Sequence, residues 1–241
     1  MIRVFVYTCD PYLWCLKPFV YLFDQYWSTM QEVIVGGFTP PEFPLPDNFK
    51  FHQIDKKPYP KDKWSDGLIR LLQDYQDDVF VLLLEDYLLF RTVDHQGIET
   101  LAFYMRLGDN ADVVRFDLTA DRLYGKGMKD IESWGHYDII ACDKDAMYEM
   151  SLQAAIWNRR NLLKLLRPGM TPWEVEIQTD MTKQPFRVLG TRQWLVRYAN
   201  LMLKGQVVEG ELNKIPEPHK GNIERWILDR AIKFYKLIRE V

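Results

Sequence analysis

The strongest constraint on the fold of this chain is a repeated alternation in its first 110 residues. Four short runs rich in β-branched and aromatic residues, RVFVYTC (3–9), EVIVGGF (32–38), FKFHQI (49–54) and DVFVLLLEDYLLF (78–90), read as strands. Between the first two, apolar residues recur at helical spacing from Trp14 to Trp27 (Leu16, Phe19, Val20, Phe23, Tyr26 and Trp27). The segment TPPEFPLPDN separates the second and third runs, and its four prolines exclude a helix or a central strand. GLIRLLQDY then reads as a helix with Ser65 or Asp66 as its N-cap, and DHQGIETLAFYMRLG as another. This order predicts an α/β fold with a mostly parallel central sheet flanked by helices on both faces.

The second half is less regular. ADVVRFDL (111–118), YDIIAC (137–142) and SLQAAIW (151–157) read as strands, and RRNLLKLL (159–166) as a short helix ended by Arg167, Pro168 and Gly169. TPWEVEIQTDM follows as a helix with Thr171 as N-cap and Pro172 at the first helical position. The last segment, NIERWILDRAIKFYKLIREV, is amphipathic. No linker divides the 241 residues, so a single domain is expected.

Composition narrows the function. With 47% hydrophobic residues the chain can bury one sizeable core. Its 31 basic and 34 acidic residues give a net charge of -3, which offers no global attraction for nucleic acid. Cys9, Cys15 and Cys142 have no metal-finger spacing and read as reduced thiols. No signal peptide and no apolar run near the roughly 18 residues of a membrane span is evident, so a cytoplasmic protein with at most peripheral membrane contact is expected. The four histidines are dispersed without a zinc motif, and neither a Gly-x-Ser-x-Gly elbow nor a P-loop is present.

In sheets of this kind ligands bind beyond the carboxyl ends of the strands, where Asp10 and the adjacent Glu85 and Asp86 fall. Two neighbouring carboxylates at a buried strand end need compensation from cations, hydrogen bonds or water. A divalent metal (Mn or Mg) carrying a diphosphate would supply it. Successive strand side chains point to opposite faces, so Asp86 is the expected metal ligand, with Glu85 beside it or bonded to the nucleotide. An ordinary acidic loop after the strand is the plainer alternative.

The stretches WSDGLIRLLQDYQDDVFVLLLEDYLLF, SLQAAIWNRRNLLKLLRPGMTPWEVE and YTCDPYLWCLKPFVYLFDQYW resemble a family of bacterial and viral glycosyltransferase-like proteins of polysaccharide biosynthesis, similar to nucleotide-sugar transferases of the GT-A fold. The resemblance implies a Rossmann-like, GT-A-like domain with a nucleotide-sugar-binding half (1–110), an acceptor and catalytic half (111–205) and a C-terminal extension (206–241). It also implies a nucleotide diphosphate sugar as donor and a glycan or lipid-linked acceptor. Glu85, Asp86 and Tyr87 take the place of the family's acidic metal motif but depart from its Asp-x-Asp form, leaving open whether metal or Lys and Arg alone neutralise the diphosphate. Glu176, with Glu174 as the alternative, would be the base of an inverting transfer; either could instead favour a helix N-terminus.

The remaining candidates for the donor are Thr8 and Asp10 for base or ribose, Trp64, Ser65 and Asp66 beside the nucleotide, Gln153 and Trp157 at the sugar, and Lys204 at the diphosphate. Each has a plain structural alternative, namely turn, cap, core or exposed lysine. Two other functions stay open: a non-catalytic binding or assembly protein of the same fold, and a sugar nucleotidyltransferase. The latter would be expected to carry a glycine-rich basic loop after the first strand, which TCDPYLWCLK lacks.

Overall fold

Alternate residues of the first strand feed two different cores. In the computed structural model, which describes residues 1–203 and 205–239 and side chains of the last helix through residue 231, Val4 and Val6 of β1 (Arg3–Tyr7) pack on one side of the sheet. Phe5 and Tyr7 pack on the other. A strand covered on both faces has no polar side to show, hence its unbroken apolar run. A 3-10 turn (Asp10–Cys15) leads into α1 (Leu16–Tyr26), followed by β2 (Val33–Gly37), β3 (Phe49–Gln53), α2 (Trp64–Asp74) and β4 (Val79–Leu84). β3, β2, β1 and β4 lie side by side in that order, all parallel.

At Glu85 and Asp86 the chain turns out of the sheet. β5 (Tyr87–Leu89) pairs not with the sheet but with β11 (Tyr198–Asn200), and the Tyr87 and Tyr198 rings stack 4.2 Å apart. Between them come α3 (His95–Arg106), β6 (Val113–Asp117), the hairpin β7 (Lys129–Trp134) and β8 (Tyr137–Ala141), β9 (Ala155–Asn158), α4 (Arg159–Leu165), α5 (Pro172–Gln178) and β10 (Arg187–Thr191). They extend the sheet as β4-β9-β6-β10-β8-β7, in which β8 and β9 run against the other strands. α1 and α3 cover one face, α2 and α4 the other. The mostly parallel, helix-flanked α/β sheet expected from the sequence is thus present.

The second half corrects several local expectations. SLQAAIW is strand only from Ala155, and β10, within RVLGT, was not anticipated although it lies inside the sheet. α2 begins at Trp64 with Lys63 at its N-cap and no side-chain capping bond, so neither Ser65 nor Asp66 caps it. After β11 come β12 (Met202–Leu203), β13 (Gln206–Val207), α6 (Glu209–Leu212) and α7 (Glu217–Arg239). The first half of α7 packs on α1: Ile223 is buried, and the Tyr21 hydroxyl lies 2.8 Å from His219 Nδ1. Lys214 and Lys220 pair with Glu211 and Glu217. Among the described residues no helix is long and apolar enough to cross a membrane.

α2 approaches β1 so closely that only glycine fits at position 67. A β-carbon there would fall on the Tyr7 hydroxyl, which donates to Trp64 O at 2.8 Å and cannot easily move. Gly67→Ala is expected to cost about 1–3 kcal/mol through overpacking. Part of that loss should return in the Tyr7→Phe/Gly67→Ala double variant, measured by urea unfolding as a double-mutant cycle.

Candidate functional site

The C-terminal ends of β1 and β4, the start of α2 and the face of α5 enclose a cavity of about 460 Å³. Its walls are aromatic, with Tyr7, Tyr12, Phe38, Tyr59, Trp64 and Trp173, and three carboxylates reach it: Glu85, Asp86 and Glu176. A second cavity of about 500 Å³ adjoins it, sharing Tyr12, Lys61 and Trp173.

The turn at the end of β4 resolves the geometric objection to a paired site. Because Glu85 and Asp86 occupy a tight turn rather than extended strand, both line the same cavity. Glu85, 5% exposed, lies beside the Cys9 N–H and the Thr8 hydroxyl, which favour its charged form. Burial nevertheless pushes its carboxyl up to about 8, and the neighbouring Asp86 adds to the rise. The Met202 N–H favours the charged form of Asp86, but burial lifts its carboxyl to about 6. With the Asn200 amide turned so that its NH2 donates, it reaches Asp86 Oδ2 at 3.0 Å.

What these acids lack is a cation. Among the described residues no Lys, Arg or His forms an ion pair with Glu85, Asp86 or Glu176. Arg115 and Arg122, both buried, are committed to Asp117 and Glu149 at 2.5–2.7 Å, a chain of equal charges that neutralises itself. No group of three His, Cys, Asp or Glu side chains is placed to hold a metal by itself among the described residues. Two adjacent carboxylates facing one cavity do fit a Mg²⁺ or Mn²⁺ ion that takes its remaining ligands from phosphate and water.

Glu176 and Glu174 are separated by their helix. α5 opens with a capping box in which Thr171 Oγ1 accepts the Glu174 N–H at 3.2 Å and Glu174 Oε2 accepts the Thr171 N–H at 2.8 Å. Glu174 is thereby spent on the helix start, is held below its ordinary range by those bonds, and does not line the cavity. Glu176 is turned inward, its Oε1 accepting the Leu152 N–H at 2.7 Å, and burial raises its carboxyl.

The other sequence candidates divide in the same way. Trp64 and Gln153 line the cavity. Thr8 stands behind it, next to Glu85, whose charged form its hydroxyl favours. Asp10 faces away and accepts the Thr39 hydroxyl at 2.7 Å. Ser65 donates to Arg167 O (2.7 Å) and accepts the Met170 N–H (3.0 Å), while Asp66 accepts the Gly169 N–H (2.7 Å). These two pin the loop that delivers α5, rather than touching the cavity. Trp157 is a fully buried core residue of β9, and Lys204 lies outside the described residues.

Tyr12, Tyr59, Lys61, Trp173 and Asn200 also belong to the cavity and were not singled out from the sequence. The Lys61 ammonium sits 4.2 Å from the centroid of the Trp173 ring. Tyr59 is fixed by Asp55, which accepts both its hydroxyl (2.9 Å) and an Arg70 N–H (2.7 Å). The clustering of Tyr, Pro and Lys in PYPKDKW was the available signal, but nothing local distinguishes it from an ordinary loop.

No family model matches the chain, and a search of curated proteins returns no relative. Among the solved structures that resemble it are the following two. One, described as CMP:2-keto-3-deoxy-manno-octonic acid synthetase complexed with CTP, is 13% identical over 79% of this chain and 89% of that one, with a TM-score of 0.42. The other, a cytidylyltransferase from Leptospira borgpetersenii serovar Hardjo-bovis, is 14% identical over 78% of this chain and 74% of that one, with a TM-score of 0.40. At these values neither likeness bears on the reaction.

The acid pair has a pH consequence. Both carboxyls lie above their unfolded values, so between the two the folded chain holds protons that the unfolded chain has released. The stability this contributes is complete below about pH 4 and is lost as pH rises through about 6 and then about 8. In chelator, the wild-type urea midpoint should fall from about pH 5 to about pH 8, and Glu85→Gln should flatten that fall. A wild-type midpoint that rises over the same range would contradict the assignment.

Proposed function

We propose that this protein is a glycosyltransferase that moves a sugar, with inversion, from a nucleotide diphosphate sugar to a glycan or lipid-linked acceptor. The observation that carries the reading is the convergence of Glu85, Asp86 and Glu176, from two distant segments, on one aromatic cavity at the carboxyl ends of β1 and β4. The aromatic walls suit a nucleoside, whose base has two apolar faces. Asp86, with Glu85, would hold a divalent ion, which when bound neutralises charge on the leaving diphosphate. Glu176 accepts the proton of the acceptor hydroxyl as the anomeric carbon is attacked. Its burial favours that role, because a carboxylate raised above its ordinary range is a stronger base. Thr8 favours the charged form of Glu85, and Ser65 and Asp66 hold the loop before α5, so these three act indirectly.

A sugar nucleotidyltransferase, which would use the same aromatic cavity and acid pair, is the second reading. Its donor would be a nucleoside triphosphate. Against it, the turn after β1 (TCDPY) carries neither glycine nor a basic residue, and one lysine is the cationic side chain among the described residues of the cavity wall. A triphosphate brings more charge than that wall meets.

The two reactions differ in what they release. Nucleotide sugars and, separately, nucleoside triphosphates with free sugars are to be incubated with the protein and Mn²⁺, Mg²⁺ or chelator, and the products quantified. Release of nucleoside diphosphate, by transfer or by slow donor hydrolysis, is expected. It should fall roughly 10²–10⁴-fold in Glu176→Gln while Glu174→Gln retains it. Asp86→Asn should abolish any metal requirement together with turnover. Pyrophosphate release from a triphosphate would establish the second reading instead. Binding of nucleotide sugars with neither product would leave a non-catalytic protein of the same fold.

A further inference from the structure

Among the described residues, the cavity wall contains three carboxylates and one ammonium, that of Lys61. Lys61 has no carboxylate within ion-pair reach among the described residues, unlike Lys50, Lys126, Lys183, Lys214 and Lys220. Among the described residues its ammonium meets the face of Trp173, 4.2 Å from the ring centroid, at the start of the helix that carries Glu176. An ammonium held on an indole face keeps its charge and its donors without being neutralised, as it would be by a carboxylate. Lys61 also lines both cavities, so it stands at their junction.

Its backbone is fixed on both sides. Pro60 starts the 3-10 turn Lys61–Lys63, closed by the Lys63 N–H to Pro60 O at 2.9 Å. Tyr59, just before it, is tied to Asp55 and Arg70. The lysine is thus a long flexible arm on a fixed base, carrying a cation that no protein anion claims.

We propose that Lys61 is the phosphate-binding cation of the cavity, with the Trp173 ring holding its ammonium at the junction between the inner and outer compartments. The inference rests on the nucleotide reading above and adds to it a residue for the phosphate charge that the acid pair cannot contact without a metal. The junction is also where a phosphate bonded to a nucleoside in the inner, aromatic compartment would meet the outer one.

The test compares ligands that differ only in phosphate. Uridine, cytidine and guanosine and their diphosphates are titrated calorimetrically, with Mg²⁺ and with chelator, into wild type, Lys61→Met, Lys61→Arg and Trp173→Leu. Lys61→Met is expected to weaken the bound diphosphate roughly tenfold or more while leaving its nucleoside within about twofold. Lys61→Arg should keep most of the affinity, and Trp173→Leu should weaken the diphosphate by several-fold, less than Lys61→Met. Equal weakening of nucleoside and diphosphate would make Lys61 a wall residue and overturn the inference while leaving the nucleotide site standing. Unchanged diphosphate binding in Lys61→Met would do the same. If wild type binds none of these ligands, the nucleotide reading falls and this inference falls with it.

Discussion

The fold is organised around a conflict at one turn: two adjacent carboxylates, Glu85 and Asp86, end the most apolar strand of the sheet, and among the described residues no cation meets them. The Thr8 hydroxyl and the Cys9 and Met202 N–H groups favour their charged forms and so reduce the cost of burying them. They do not remove it, and both carboxyls remain raised. A strand end built only for stability would have placed an apolar or turn-forming pair here. The unmet charge is therefore the feature that most needs an external partner.

Much of the surrounding architecture serves to hold that turn and the cavity around it. β5 leaves the sheet immediately after Asp86 and is caught by β11, with Leu201 N–H donating to Asp86 O at 2.9 Å. That brings Asn200 and Met202, over a hundred residues away in sequence, against the acid pair. On the far wall, Ser65 and Asp66 fasten the Arg167–Met170 loop to α2, so α5 is presented with Glu176 inward. Gly67 lets α2 sit against Tyr7, which in turn fixes Trp64 through its backbone carbonyl. Each contact is local and ordinary, and together they define a cavity that, among the described residues, carries three carboxylates and one cation.

The same details explain which candidate residues were legible. Glu85 and Asp86 could be picked out because polar residues interrupting a buried strand conflict with their neighbours. Glu174 and Glu176 could not be ranked beyond a slight preference, since the capping box that occupies Glu174 and the Leu152 N–H that anchors Glu176 are both needed to tell them apart. Ser65 and Asp66 looked like helix caps, and their bonds to residues about a hundred positions later are invisible in the local pattern. Lys61 and Trp173 were missed for that reason: an isolated lysine and an isolated tryptophan gain meaning when the fold brings one onto the other.

The sequence by itself determined the doubly covered, mostly parallel sheet, because strands buried on both faces must be apolar throughout and the helices between them carry their own periodicity. It also determined that the acids stand at a strand end. The tertiary structure alone decided that both face one cavity, that Glu176 joins them, that β10 enters the sheet from an unremarkable segment and that one cation stands at the junction of two compartments. These are long-range convergences, and short-range pattern carries no information about which distant segments will meet.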